Sequence, residues 1–206
     1  MTRDWARIGG WLALVGAALA FVGDQLLLYA PGGGYEDPAF GFMAFISQER
    51  LYAGALLGVL AIPLEAAGLG LVYRGLLPAG KGLATVSVAL GGFIVAVGTA
   101  THACFFYVGF LVEQGMLGEA LDLLTPVAGT FVAGFFLLFS GFSALVLLGR
   151  TTFPKWLAFT TPMTVYLLSL LTYFLIPPLG NVLLPGGFNL GMFVFFALLL
   201  GFSRSK

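Results

Sequence analysis

Long apolar runs separated by short polar stretches organise the chain. Six runs stand out, at about 7–30, 51–74, 83–112, 126–149, 156–177 and 188–203. Each breaks at a turn signal: "PGGGYEDP" at 31–38, "LLPAGKG" at 76–82, "EQGMLGEALDLLTP" at 113–126, "GRTTFPK" at 149–155 and "PPLGNVLLPGG" at 177–187. Runs of this length in hydrocarbon must satisfy their own backbone polar groups, which predicts helices. The expected fold is all-α: a single domain over 1–206, a polytopic integral membrane protein built as a bundle of six transmembrane helices. The last run is short, and the loop before it is expected to dip into the membrane.

Basic residues give the bundle a direction. Arg3 and Arg7 precede the first run, Arg74 and Lys81 lie between the second and third, Arg150 and Lys155 between the fourth and fifth, and Arg204 and Lys206 follow the sixth. Only Arg50, of nine basic residues, falls on the other side. The positive-inside rule then puts both termini in the cytoplasm. Glu36, Asp37, Glu49, Glu113, Glu119 and Asp122 fall outside. The first run continues through Tyr29 without a small-residue cleavage site, so it reads as an uncleaved helix rather than a signal peptide. "AFGFMAFISQERL" at 39–51 is expected to lie at the outer interface or to extend the second helix. The segment 113–125 is expected to form a short interfacial helix. No internal repeat is convincing.

Composition agrees. Hydrophobic residues make up 60% of the chain and charged residues 9%, too few to cover the surface of a water-soluble domain. The net charge is zero and no basic block suggests nucleic acid. A single cysteine, Cys104, rules out an internal disulfide and a cysteine zinc cluster. One histidine rules out a three-histidine metal site. No run holds a lysine for a retinal-type Schiff base or an arginine ladder for voltage sensing. Neither a phosphate-binding GxxxxGK[ST] loop nor a G-x-S-x-G elbow occurs. No metal and no cofactor are expected.

Three ionisable side chains remain well inside the runs: Asp24, Glu65 and His102. Each would cost about 2.5–3.5 kcal/mol at mid-bilayer, so each is expected to face the bundle interior. Small residues share their helical faces: Gly16, Ala20, Asp24 in the first run; Gly54, Gly58, Ala61, Glu65, Gly68 in the second; Gly91, Gly98, His102 in the third. Asp24 and His102 fall in the outer half, with Thr99, Thr101 and Tyr107 near His102 and Asn181 and Asn189 on the same side. Glu65 falls deeper, and Pro63 before it bends the helix. The candidate site is an outward-facing polar pocket lined by Asp24, His102 and Asn189, with Glu65, Thr99 and Tyr107 as further ligand contacts.

Structural roles compete with that site. Asp24 could be hydrated or pair with a neighbouring helix, and His102 could bond a carbonyl. Glu65 could sit protonated across a helix interface, and Asn189 could cap the sixth helix. Cys104 and the 21 phenylalanines read as packing and lipid contact.

"GDQLLLYAP", "RLYAGALLGVLAIPLEAAGLGLVYRGL" and "THACFFYVGF" resemble the corresponding segments of a bacterial family of small six-span membrane proteins with no assigned function. The resemblance covers most of the chain. It implies the bacterial inner membrane and puts Asp24 and His102 in one motif set. "GDQLL" at 23–27 is also similar to the GDxxL helix of lysoplasmalogenase-type membrane hydrolases. His102 lies further along the chain than the partner histidine of those enzymes, and a second aspartate motif and two helices are missing.

Three functions follow as expectations. The first is binding or transport of a lipid-like or small apolar ligand, with membrane lipids as the surroundings. The second is an intramembrane hydrolase or isomerase acting on a lipid, with Asp24 and His102 as the catalytic acid and base. The third is a structural or assembly role.

Overall fold

The computed structural model describes residues 3–30 and 40–204. The turn at 31–38, with Glu36 and Asp37, lies outside them, as does Lys206. Among the described residues the fold is all-helical. The helices are α1 (Arg3–Leu28), α2 (Gln48–Glu65), α3 (Leu69–Leu76), α4 (Lys81–Glu113), α5 (Leu117–Leu147), α6 (Pro162–Leu175), α7 (Pro177–Leu183) and α8 (Gly187–Arg204).

Among the described residues four stretches are long and apolar enough to cross a membrane: Asp4–Leu28, Gln48–Ala79, Lys81–Glu113 and Leu117–Leu147. A fifth is reached if α7 and α8, bent by 70° at their junction, act as one broken span. The run at 156–177 is realised differently. It splits into a 3₁₀ turn (Lys155–Phe159) and the 14-residue α6, about 21 Å long at 1.5 Å per residue and so short of a ~30 Å hydrocarbon core. The predicted loop at 177–187 contains α7, because Pro177 and Pro178 occupy the first helical turn, where a missing N–H costs nothing.

Two further expectations change. Segment 113–125 is no separate interfacial helix, since α5 starts at Leu117 and runs through Pro126. Segment 39–51 does lead into α2, but its 3₁₀ turn (Gly41–Phe45) buries Phe42 and Met43 against Leu27, Leu51 and Phe105. It plugs one end of the bundle rather than floating on it. In the second run, α2 ends at Glu65, and a 3₁₀ turn (Ala66–Gly68) joins it to α3. Pro63, lacking an N–H, sits just before that break.

Packing follows the small residues. Gly9, Gly16 and Gly23 of α1 repeat at spacing seven, which presents one helical face. A Cβ at Gly16 would come 2.7 Å from the Ala61 carbonyl oxygen, and one at Gly23 3.1 Å from that of Gly54. One at Gly9 would overlap the Ala67 carbonyl. Backbones this close give the dense helix contact expected where lipid supplies no hydrophobic drive. The opposite face of α1 exposes Trp5, Ile8, Trp11, Leu12, Val15, Leu19 and Val22. Small residues inside and large apolar residues outside, on helices this long, fit an integral membrane protein.

The bundle has two distinguishable ends. At the basic end, α1 begins, α3, α5 and α8 finish, and Arg7, Arg74, Lys81, Arg150 and Lys155 cluster. At the opposite end, Arg50 explains its own exception to the charge pattern. Its guanidinium donates to the carbonyls of Gln25 (3.0 Å), Leu26 (3.1 Å) and Tyr29 (2.9 Å). It therefore caps the C-terminus of α1, where a cation meets the negative end of the helix dipole.

Candidate functional site

Asp24 is the hub. Its helix brings it inward on the face that carries Ala13, Ala17 and Ala20, all fully buried. Gly58 makes room for His102, because a Cβ there would overlap the imidazole at Nδ1. The His102 Nε2 then lies 2.9 Å from Asp24 Oδ1. From α8, the Asn189 Nδ2 donates to Asp24 Oδ2 at 2.7 Å. The three side chains are 5%, 5% and 8% exposed for Asp24, His102 and Asn189. One carboxylate thus ties together α1, α4 and α8.

His102 Nδ1 is buried and has no partner. An N–H there would be an orphan donor, costly in an apolar interior. The arrangement that leaves no orphan N–H places the ring hydrogen on Nε2, directed at Asp24. Asp24 then accepts two hydrogen bonds, one at each carboxyl oxygen. Asn189 is the third residue of α8, so the carboxylate also faces the first turn of that helix, the positive end of its dipole. Asn189 does not serve as a cap; it lies inside the helix and commits its amide to Asp24.

The site opens on an elongated cavity of about 430 Å³. Its wall on α4 runs Ser87, Gly91, Ile94, Val95, Gly98, Thr101, His102, Phe105. That stripe covers about 18 residues, or about 27 Å of helix, close to the full hydrocarbon thickness. Phenylalanines of α5 and α8, including Phe131, Phe135, Phe139 and Phe195, form much of the remaining wall. Asp24, His102 and Asn189 sit towards one end, near Phe40 and Phe42; Ser87 and Leu76 mark the basic end.

Glu65 lines the same cavity. It is 3% exposed, and its Oε1 has no hydrogen-bond partner. Its backbone is level with Gly16, eight residues before Asp24, hence about 12 Å deeper along α1. The two remaining candidates lie elsewhere. Thr99 is not on the cavity wall, and its hydroxyl bonds the Val95 carbonyl of its own helix at 2.8 Å. Tyr107 is 59% exposed and packs edge-on against Phe106. Tyr166 is an addition to the expected set. It lines the cavity and stacks on Phe188 with ring centroids 3.9 Å apart. Its only sequence signal is a phenol within "TVYLLSLL". Among the described residues no three His, Cys, Asp or Glu side chains are grouped to hold a metal ion.

A family model described as a family of unknown function (DUF6796) matches residues 5–206, and the chain belongs to that family. No curated protein and no solved structure matches the chain.

Proposed function

We propose, for this member of a family of unknown function, that the protein binds or carries a lipid-like molecule inside its helical bundle. The apolar tail would occupy the long cavity, and the polar head would meet Asp24, His102 and Asn189. The observation that carries this reading is the shape of the cavity. Its lining reaches along about 27 Å of α4, is rich in phenylalanine, and is polar in few places. A volume of about 430 Å³ lies in the range of small-molecule sites. Glu65, with an unpartnered oxygen facing apolar walls, supplies a second polar contact part-way along.

The topology that goes with this reading has six crossings, with α6 and the 3₁₀ turn before it as a shortened fifth and the bent α7–α8 pair as the sixth. Both termini are cytoplasmic, and the membrane is the inner one. Support comes from the eight basic residues on one side and from Arg50, whose guanidinium is taken up by a helix cap. Asp24 and its partners then open towards the outer side.

The alternative is a lipid hydrolase or isomerase using Asp24 and His102, favoured by their 2.9 Å contact. The sealing of His102 Nδ1 against Gly58 weighs against it. The Nε2 edge of the ring is already given to Asp24, so neither nitrogen is placed to meet a substrate proton.

The test is lipid extraction and native mass spectrometry of protein purified in mild detergent. The wild type should retain one tightly held lipid-like molecule. Asp24→Asn and His102→Ala should lower that retention while circular dichroism still reports a helical protein. Unchanged retention in both variants would overturn the binding reading. Turnover of a lipid panel, lost in both variants, would establish the enzymatic one.

A further inference from the structure

A second cavity, of about 240 Å³, lies at the basic end, where the start of α1, the end of α3, the 152–153 segment and the end of α8 meet. Arg7 and Arg74 both line it, with Thr152 and Ser203 beside them. Among the described residues no acidic side chain is on its wall. Arg7 Nε is buried and has no hydrogen-bond partner, and neither guanidinium forms an ion pair or hydrogen bond with the described residues. The one described acid at this end, Asp4, is exposed and pairs with neither. Two guanidinium groups lining one concave site, with no carboxylate on its wall among the described residues, suit an anion.

The surroundings say where that anion would lie. All three tryptophans of the chain, Trp5, Trp11 and Trp156, are exposed around this end, and Trp156 packs on Phe202 of the cavity wall. Exposed tryptophan marks the level of lipid headgroups. Leu71, Phe153 and Leu199 line the rest of the cavity and offer apolar contact beneath the charged rim. We propose that Arg7 and Arg74 form a phosphate-binding site at the basic face, separate from the long cavity. Its occupant carries a phosphate mono- or diester: an anionic phospholipid headgroup or a free phosphate compound. A planar guanidinium fork matches two phosphate oxygens, so a pair can hold one phosphate from two directions.

The experiment uses the full chain in detergent with added phosphatidylglycerol or phosphatidylcholine, read by native mass spectrometry. The wild type is expected to retain one phosphatidylglycerol, at least about tenfold in preference to phosphatidylcholine. Arg7→Gln with Arg74→Gln should abolish the preference. Arg150→Gln with Lys155→Gln removes the same charge from exposed positions off the cavity wall and should keep it. Arg74→Lys retains charge without the fork and should weaken the preference only in part, which guards against misreading a folding defect in the double variant. Inorganic phosphate at millimolar concentration separates the two sources. If it displaces the lipid and raises the wild-type melting temperature, the site takes free phosphate. If it does neither, while the lipid preference holds, the site takes the headgroup. A preference untouched by removing both arginines, or lost equally in the exposed-charge control, would overturn the proposal.

Discussion

Exchanging the two side chains at the heart of the site tests its hydrogen-bond logic. In Asp24→Asn, the new amide offers one acceptor to two donors, His102 Nε2–H and Asn189 Nδ2–H. One interhelical bond is lost, worth about 0.6–1.7 kcal/mol in a membrane protein. A buried donor is also orphaned, for a total of about 2 kcal/mol. That is about 30-fold in the unfolding equilibrium at about 1.36 kcal/mol per tenfold. In Asn189→Asp, two carboxylates face each other where the amide now donates at 2.7 Å. Like charges about 4 Å apart repel by about 4 kcal/mol at an effective dielectric of about 20. That cost is relieved in part if the pair takes up a proton. Combining Asp24→Asn with Asn189→Asp repairs both faults. The amide introduced on α1 accepts from His102 through its oxygen and donates through its nitrogen to the carboxylate now carried by α8. The exchange should therefore lie within about 1 kcal/mol of wild type, a coupling of at least about 2 kcal/mol. Reversible unfolding in mixed micelles, followed by circular dichroism, measures all four corners of the cycle. Single costs that simply add, within about 0.5 kcal/mol, would refute the proposed donor and acceptor roles.

Other substitutions probe separate links. Gly58→Ala pushes a methyl group into the His102 ring and should destabilise by about 1–3 kcal/mol; Gly141→Ala, with nothing within 4 Å of the added carbon, should be neutral or gain up to about 1 kcal/mol. The same unfolding assay checks both, and equal midpoints for the two variants would count against the close fit at Gly58. Arg50→Met removes three donors from the end of α1 and should speed amide exchange near Tyr29, with a loss of about 1–2 kcal/mol. Glu65→Leu discards a carboxylate oxygen that has no partner, so stability should hold or rise by about 1 kcal/mol while ligand retention falls. A marked loss of stability there would mean that Glu65 has a structural partner.

The inward faces of α1, α2 and α4 were legible because a helix places residues four apart on one side whatever surrounds it. Asp24 behind Gly16 and Ala20, and Glu65 behind Gly58 and Ala61, needed only that rule. Tyr107 could have been set aside the same way, since a step of about five residues turns the helix about 140° away from His102. The C-terminal third was less readable. Pro126 and the Pro177–Pro178 pair look like helix breaks, yet the first is absorbed in mid-helix and the second opens α7. Neighbouring helices, not local propensity, decide such cases. Asn189 shows the same limit. Its amide has a local use as a cap and a distant one on Asp24, and only the position of α8 against α1 selects between them. Which side chain Gly58 admits is likewise a matter of where α4 lies.

The bond between Asn189 and Asp24 spans 165 positions of sequence, which has a consequence for biogenesis. At about 5–20 residues per second, the ribosome delivers Asn189 roughly 10–30 s after Asp24. Through that interval α1 must hold an intramembrane carboxylate short of one donor, and for the earlier part short of His102 as well. A nascent chain stopped before α8 therefore exposes an incomplete acceptor inside the bilayer. Such an intermediate is a natural client for the insertion machinery, and arrival of the last helix is the event that releases it.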